Sequence, residues 1–345
     1  MTTKRSIAKT KKAYLGLGSK VLLNIHRFMV RTRLVEEHLI SLWKKGDGVF
    51  WTGGPGEEAF NVPLGLLIKK GQGPAYDYLH PHYRSSGIVL AMGVEAIDVI
   101  RQMRSTATDP YSNGRNFVNH YAIPKWNVIP VSSPVGSQYS TAIGTAIAQK
   151  QTPGDAVSIA IAGDATAAEG DFHSCLVWAN RPALPLPILI VITNNGCGIS
   201  TSMESQHGEK RISDWGKAFD MPARTINGND PVESYIAVRE ALSYCRKERR
   251  PYLLEAKVSR LYGHASSSGA NRSDDADCIA DFESQLIGLR LITQMQIAEA
   301  WKANRRWIDE ADTASKNDPP PTPASLWDHV FTDGIPSSYP RRNRS

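Results

Sequence analysis

Two apolar runs, Val157-Ser158-Ile159-Ala160-Ile161-Ala162 and Leu186-Pro187-Ile188-Leu189-Ile190-Val191-Ile192, constrain this chain more than any other feature. The first stops abruptly at Gly163-Asp164-Ala165 and the second at Thr193-Asn194-Asn195-Gly196. Short, β-branched runs that end on polar residues read as fully buried strands of a parallel sheet, and the stretch between them, about 168–179, reads as the crossover helix. Such sheets bind ligands outside the carboxyl ends of their strands. Here those ends carry a carboxylate and a carboxamide, hard oxygen donors suited to Mg²⁺, which fills its remaining positions with phosphate oxygens. A magnesium diphosphate is therefore the expected ligand. Either motif alone would be a helix cap or a turn; their pairing in one βαβ unit is what carries the expectation.

The rest of the composition sets bounds. With 345 residues, 41% of them apolar, the chain can bury a substantial core. No apolar stretch approaches the roughly 18 residues of a membrane span. Cys175, Cys197, Cys245 and Cys278 show no CxxC spacing, as expected in a reducing compartment, and structural zinc is not expected. The net charge of +6 invites a nucleic-acid reading, but residues 1–35 hold nine Lys and Arg and no acid, which leaves 31 basic against 34 acidic residues elsewhere. The basicity thus belongs to a tail. The expected organisation is a basic flexible tail at 1–19, one α/β domain at 20–335 ending in a helical segment, and a second basic tail at 336–345.

Gly163-Asp164-Ala165 followed after 28 residues by Asn194-Asn195 resembles the thiamine diphosphate signature, Gly-Asp-Gly and then Asn-Asn. Ala168-Glu169-Gly170-Asp171 and Asn195-Gly196-Cys197-Gly198-Ile199-Ser200-Thr201 resemble, more narrowly, the α-chain of the heterotetrameric 2-oxoacid dehydrogenase first component. That resemblance runs from about residue 20 to 335. It implies a doubly wound, mostly parallel sheet flanked by helices in the diphosphate-binding form of the thiamine diphosphate fold. It also implies Mg²⁺ held by Asp164, Asn195 and the carbonyl of Cys197, with Gly163 and Ala165 lining the diphosphate.

Further likenesses extend the site. His82-Tyr83-Arg84 matches a segment whose Tyr-Arg pair contacts the diphosphate and whose preceding residue faces the substrate. Asn119-His120-Tyr121 and Val131-Ser132-Ser133-Pro134-Val135-Gly136-Ser137-Gln138 resemble the branched-chain subgroup. Ser133 and the backbone of Val135 then meet the aminopyrimidine, and Ser132, Pro134, Ser137 and Gln138 fall on that subgroup's K⁺ positions. Arg260-Leu261-Tyr262-Gly263-His264 matches a loop whose histidine, here His264, lines the mouth of the site. Three residues depart from the pattern: Ala165 replaces the third glycine, Thr193 replaces an arginine that reaches the diphosphate in branched-chain members, and Ala265 replaces a phosphorylatable serine.

Elsewhere, periodicity predicts helices over 21–45, 53–70, 88–104, 141–149 and 232–246, a strand over 252–258, and one or two amphipathic helices over 282–313. Glu57 reads as a helix-start residue with no chemistry. The resemblance implies oxidative decarboxylation of a 2-oxoacid, leaning to branched-chain substrates, with reductive acylation of lipoamide on a transacylase. It leaves open a pyruvate or acetoin enzyme and a catalytically silent scaffold. All the recognised motifs belong to the diphosphate-gripping partner of the family's paired domains, so a β-subunit in an α₂β₂ assembly is expected to supply the activating glutamate. A bacterial, cytoplasmic setting is expected ahead of the mitochondrial matrix; neither nucleic acid nor membrane is expected as a partner.

Overall fold

The computed structural model describes residues 16–332, so the tail expected at 336–345 and residues 1–15 of the other lie outside the described residues. Five strands, β1 (Tyr78–His80), β2 (Ser158–Gly163), β3 (Ile188–Asn194), β4 (Ala223–Asn227) and β5 (Tyr252–Lys257), form one parallel sheet in the order β1-β2-β3-β5-β4. The chain is thus α/β, with the two apolar runs as its central pair. β3 is buried along its whole length and β2 in all but its last residue, which is why both lack polar alternation.

Successive side chains on a strand point to opposite faces, and the core divides accordingly. Ile159, Ile161, Leu189, Val191 and Leu254 pack on one face with α1 (Ser19–Lys44), α2 (Glu58–Leu67) and, after β4, the long helix Pro231–Glu248. Ala160, Ala162, Ile188, Ile190, Ile192 and Leu253 pack on the other with the helices Ser137–Gln151 and Gly170–Ala179. The alanines in β2 let the second layer approach closely. Two terminal helices, Cys278–Gly288 and Gln294–Ser315, are capped by Asp277 and by a Thr293–Gln296 capping box. No helix among the described residues is long and apolar enough to cross a membrane.

Several predicted boundaries move, each for a local reason. The helix expected over 88–104 is two, Ser86–Met92 and Ala96–Met103, because Gly93 adopts φ 112° and turns the chain. The helix expected to reach residue 70 ends at Leu67, where Ile68 is extended and the buried Asp77 carboxylate accepts the Lys69 N–H at 2.7 Å. β1 and β4 escape sequence reading: three residues are too few to show a period, and β4 alternates irregularly at the sheet edge.

Arg33, 2% exposed, joins α1 to α2 by a two-pronged contact with Glu58 at 2.7 and 3.0 Å and reaches Asp277 at 2.8 Å. Glu58 in turn accepts the Gly56 N–H at 2.8 Å, fixing the loop that enters α2. Removing one partner of a buried pair leaves the other charged and desolvated, a cost of about 3–5 kcal/mol. Arg33→Ala should lower unfolding stability in urea by that amount; a loss below about 1 kcal/mol would show that the pair is solvent-screened after all.

Candidate active site

Four of the five strands deliver a site residue from their carboxyl ends. β1 leads into His82-Tyr83-Arg84, β2 into Asp164, β3 into Asn195, and β5 into Arg260 and His264. The register sets Gly163 beside Thr193 and Asn194 beside Lys257, so these loops emerge side by side.

Asp164 is 1% exposed and opens a short 3₁₀ turn. One carboxylate oxygen accepts the Asn195 N–H at 3.4 Å, while Oδ2 is buried with no partner. Burial holds this carboxyl above its usual range. An unpaired buried acceptor costs about 1–3 kcal/mol, and a cation is the natural group to satisfy it. Asn195 Oδ1 accepts the Cys197 N–H at 3.3 Å, which folds the loop over and turns the Cys197 carbonyl toward the Arg260 guanidinium at 3.3 Å. Arg260 also donates to Gly198 O at 2.6 Å. Among the described residues no group of three or more His, Cys, Asp and Glu is placed to hold a metal. One carboxylate with carboxamide and carbonyl oxygens is a donor set suited to Mg²⁺ that is completed by phosphate.

The two asparagines separate by strand alternation. Asn194 is the last residue of β3, and its amide donates to buried Glu255 at 2.7 Å; Asn195 alone belongs to the site loop. Ala165 lies outside the left-handed region, so its methyl needs no strain, and Gly198 leaves room beside it.

Arg84 is 4% exposed and fastened at both ends of its fork, to the Gly53 carbonyl and to His264 Nδ1 at 2.8 Å. A guanidinium can only donate, so Nδ1 accepts and the neutral imidazole carries its proton on Nε2, 3.5 Å from the Tyr83 hydroxyl. Burial first, then Arg84 and Arg260, push His264 down to about 4, and it is neutral near pH 7. His82 lies against Tyr83 with ring centroids 3.7 Å apart and planes tilted by 39°, and both of its ring nitrogens are buried without a partner. Burial and the neighbouring Arg84 hold His82 well below its ordinary range.

The Ser/Pro segment joins the same cluster through a residue that sequence reading gave no role. His120 donates from Nδ1 to Val118 O at 3.1 Å, which leaves Nε2 to accept from Ser133 Oγ at 2.6 Å. Val135 is 38% exposed. Of the residues matched to K⁺, Ser137 donates to Pro134 O at 3.1 Å, Gln138 donates to Ile161 O at 3.3 Å with its own Oε1 buried and unpartnered, and Ser132 is half-buried beside them.

Two more features were invisible in the sequence. His207 Nε2 lies 2.9 Å from the Asp164 carbonyl and its Nδ1 3.0 Å from Glu209, and Trp215 donates to Glu209 at 2.8 Å. This clamp holds the Asp164 backbone from a loop 43 residues away in sequence. Glu57 occupies the helix-start position expected of it but makes no cap bond; its side chain is buried beside Arg84 and Thr193. No periodicity distinguishes such a residue from an ordinary first-turn acid.

Residues 26–324 match the family described as "Dehydrogenase E1 component". The chain is 30% identical over 327 residues to 2-oxoisovalerate dehydrogenase subunit alpha of Bacillus subtilis (strain 168), covering 92% of this chain and 97% of that protein. It is 27% identical over 262 residues to 3-methyl-2-oxobutanoate dehydrogenase subunit alpha of Mycobacterium tuberculosis, covering 76% and 67%. Against 2-oxoisovalerate dehydrogenase subunit alpha 2, mitochondrial, of Arabidopsis thaliana it is 28% identical over 263 residues and spans only 54% of the relative's length. The matched span takes in every strand and every site loop described above, and the chain belongs to the dehydrogenase E1 component family.

Proposed function

We propose that this chain is the α-subunit of a branched-chain 2-oxoacid dehydrogenase first component that binds magnesium thiamine diphosphate. The observation that carries the reading is the convergence of Tyr83-Arg84, Asp164, Asn195 and His264 on one edge of a parallel sheet, with an unpartnered carboxylate oxygen at its centre. When bound, thiamine diphosphate supplies the carbon nucleophile and the electron sink for decarboxylation. Asp164, Asn195 and the Cys197 carbonyl would hold Mg²⁺. Arg84 would bring its positive charge, and the N–H groups left over from its bonds to Gly53 and His264, to the diphosphate, and Tyr83 would add a hydroxyl. Ser133 and the Val135 backbone would meet the aminopyrimidine, and the Gln138 carboxamide oxygen, with Ser132, Pro134 and Ser137, would take K⁺. The names of the relatives favour branched 2-oxoacids over pyruvate or acetoin.

His264 acts as a neutral hydrogen-bond donor through Nε2, because Arg84 occupies Nδ1. Its place at the mouth suits the transfer of the acyl group to a lipoyl arm. His264→Ala should then slow reductive acylation by about 10²–10⁴-fold while leaving decarboxylation, measured with an artificial electron acceptor, within about tenfold. Equal losses in both half-reactions would remove His264 from the transfer step.

The described residues build one parallel sheet, with one set of loops at the carboxyl ends of its strands. The glutamate that activates the aminopyrimidine would come from a β-subunit in an α₂β₂ assembly, and a lipoyl-bearing transacylase would accept the acyl group. The purified chain should be inactive with saturating thiamine diphosphate and Mg²⁺, and co-expression with the β-chain should restore decarboxylation. The assembled enzyme should prefer 3-methyl-2-oxobutanoate or 4-methyl-2-oxopentanoate to pyruvate, each added methylene being worth about 1–3 kcal/mol. Turnover by the isolated chain would refute the subunit assignment, and a clear preference for pyruvate would refute the substrate class.

A further inference from the structure

Glu57 stands out among the buried acids around the site. It is 2% exposed; Oε1 has no partner, and the carboxyl is met only by neutral donors, the Asn61 amide 3.5 Å from Oε2 and the Thr193 hydroxyl. Arg84 and Tyr83 face it from the segment after β1, Thr193 from β3, and Glu58 and Asn61 from its own helix. Glu58 is already paired with Arg33. Among these neighbours Arg84 is the one cation, and its fork is committed to Gly53 O and His264. Position 193, where the branched-chain members that the chain resembles carry an arginine, brings a neutral hydroxyl instead.

An ionised carboxylate in this place would be buried beside the group that grips an anion, with no cation of its own. It would also repel the diphosphate. A neutral carboxylic acid removes both penalties and gains an O–H donor aimed into the same space.

Accepting the reading that the chain binds magnesium thiamine diphosphate, we propose that Glu57 is a further cofactor-binding residue, a protonated acid that donates a hydrogen bond to the diphosphate in place of the missing arginine. Burial raises this carboxyl to about 8, with Arg84 the largest opposing influence. Below about pH 8 the acid is already protonated and binding needs no proton; above it, binding must draw one in, so affinity falls as pH rises.

The test is calorimetric titration of the chain assembled with its β-subunit, using thiamine diphosphate and Mg²⁺ in pairs of buffers that differ in ionisation enthalpy. The expected result is proton uptake approaching one per cofactor at pH 9 and little at pH 7, with affinity falling about tenfold between them. Glu57→Gln, which keeps an N–H donor and cannot titrate, should bind as tightly as the parent at pH 7 and lose both the uptake and the pH dependence. Binding by the parent without proton uptake at pH 9 overturns the role of Glu57 and leaves the cofactor reading intact, and this measurement does not depend on the variant folding. Tighter binding by Glu57→Gln at pH 7 overturns it too, since that outcome means an ionised Glu57 was holding Arg84 away. If the parent gives no binding heat with cofactor and metal, both readings fall together.

Discussion

The site depends on the Arg84 guanidinium. One arm of its fork holds the Gly53 carbonyl before α2, and the other holds His264 after β5. Arg84 itself follows β1, so one planar group ties three loops that are far apart in sequence. The Gly53-Gly54 pair makes this possible: a Cβ on Gly54 would lie 2.5 Å from the Arg84 carbonyl, closer than side chains come. The same contact decides the His264 tautomer, and through it leaves the Nε2 proton toward the Tyr83 hydroxyl.

Around this centre lie acids that a soluble core would ordinarily avoid. Glu36 is fully buried and accepts from Trp51 Nε1 at 2.9 Å, Ser86 Oγ at 2.5 Å and Asn119 Nδ2 at 3.1 Å; burial still raises it to about 7. Glu58 is instead balanced by Arg33, and Glu57 by neither cation nor a full set of donors. Three carboxyls within one helix-and-loop unit thus meet three fates, set by what each can bond to. Glu36 holds the loop, Glu58 holds the helix, and Glu57 is left beside Arg84 with one oxygen unpartnered.

What the sequence made legible was the buried central strand pair of the sheet. Two apolar runs with polar stops placed Asp164 and Asn195 at adjacent strand ends, and alternation along β3 explains why Asn194 turns to Glu255 while Asn195 does not. Motif likeness brought His82, Tyr83, Arg84, Ser133 and His264 to the same edge. The clamp of His207 on the Asp164 carbonyl, the His120–Ser133 contact and the burial of Glu57 were not legible. Each is a tertiary meeting of polar residues on irregular segments, where neither hydrophobic period nor propensity constrains which side chain turns inward. The break at Gly93 was missed for the converse reason: the apolar pattern continues across it, and only the backbone changes hand.

The central claim is that the orphaned Asp164 oxygen is one corner of a Mg²⁺ site shared with a diphosphate. A crystal structure of the chain assembled with its β-subunit, grown with thiamine diphosphate and with Mn²⁺ in place of Mg²⁺, tests it most directly through the anomalous signal of the metal. A single peak per α-chain is expected about 2.0–2.3 Å from Asp164 Oδ2, Asn195 Oδ1 and the Cys197 carbonyl oxygen, with the diphosphate completing the shell beside Tyr83 and Arg84. A cofactor bound with its metal away from Asp164, or Asp164 Oδ2 satisfied by a protein donor in the loaded enzyme, would contradict it.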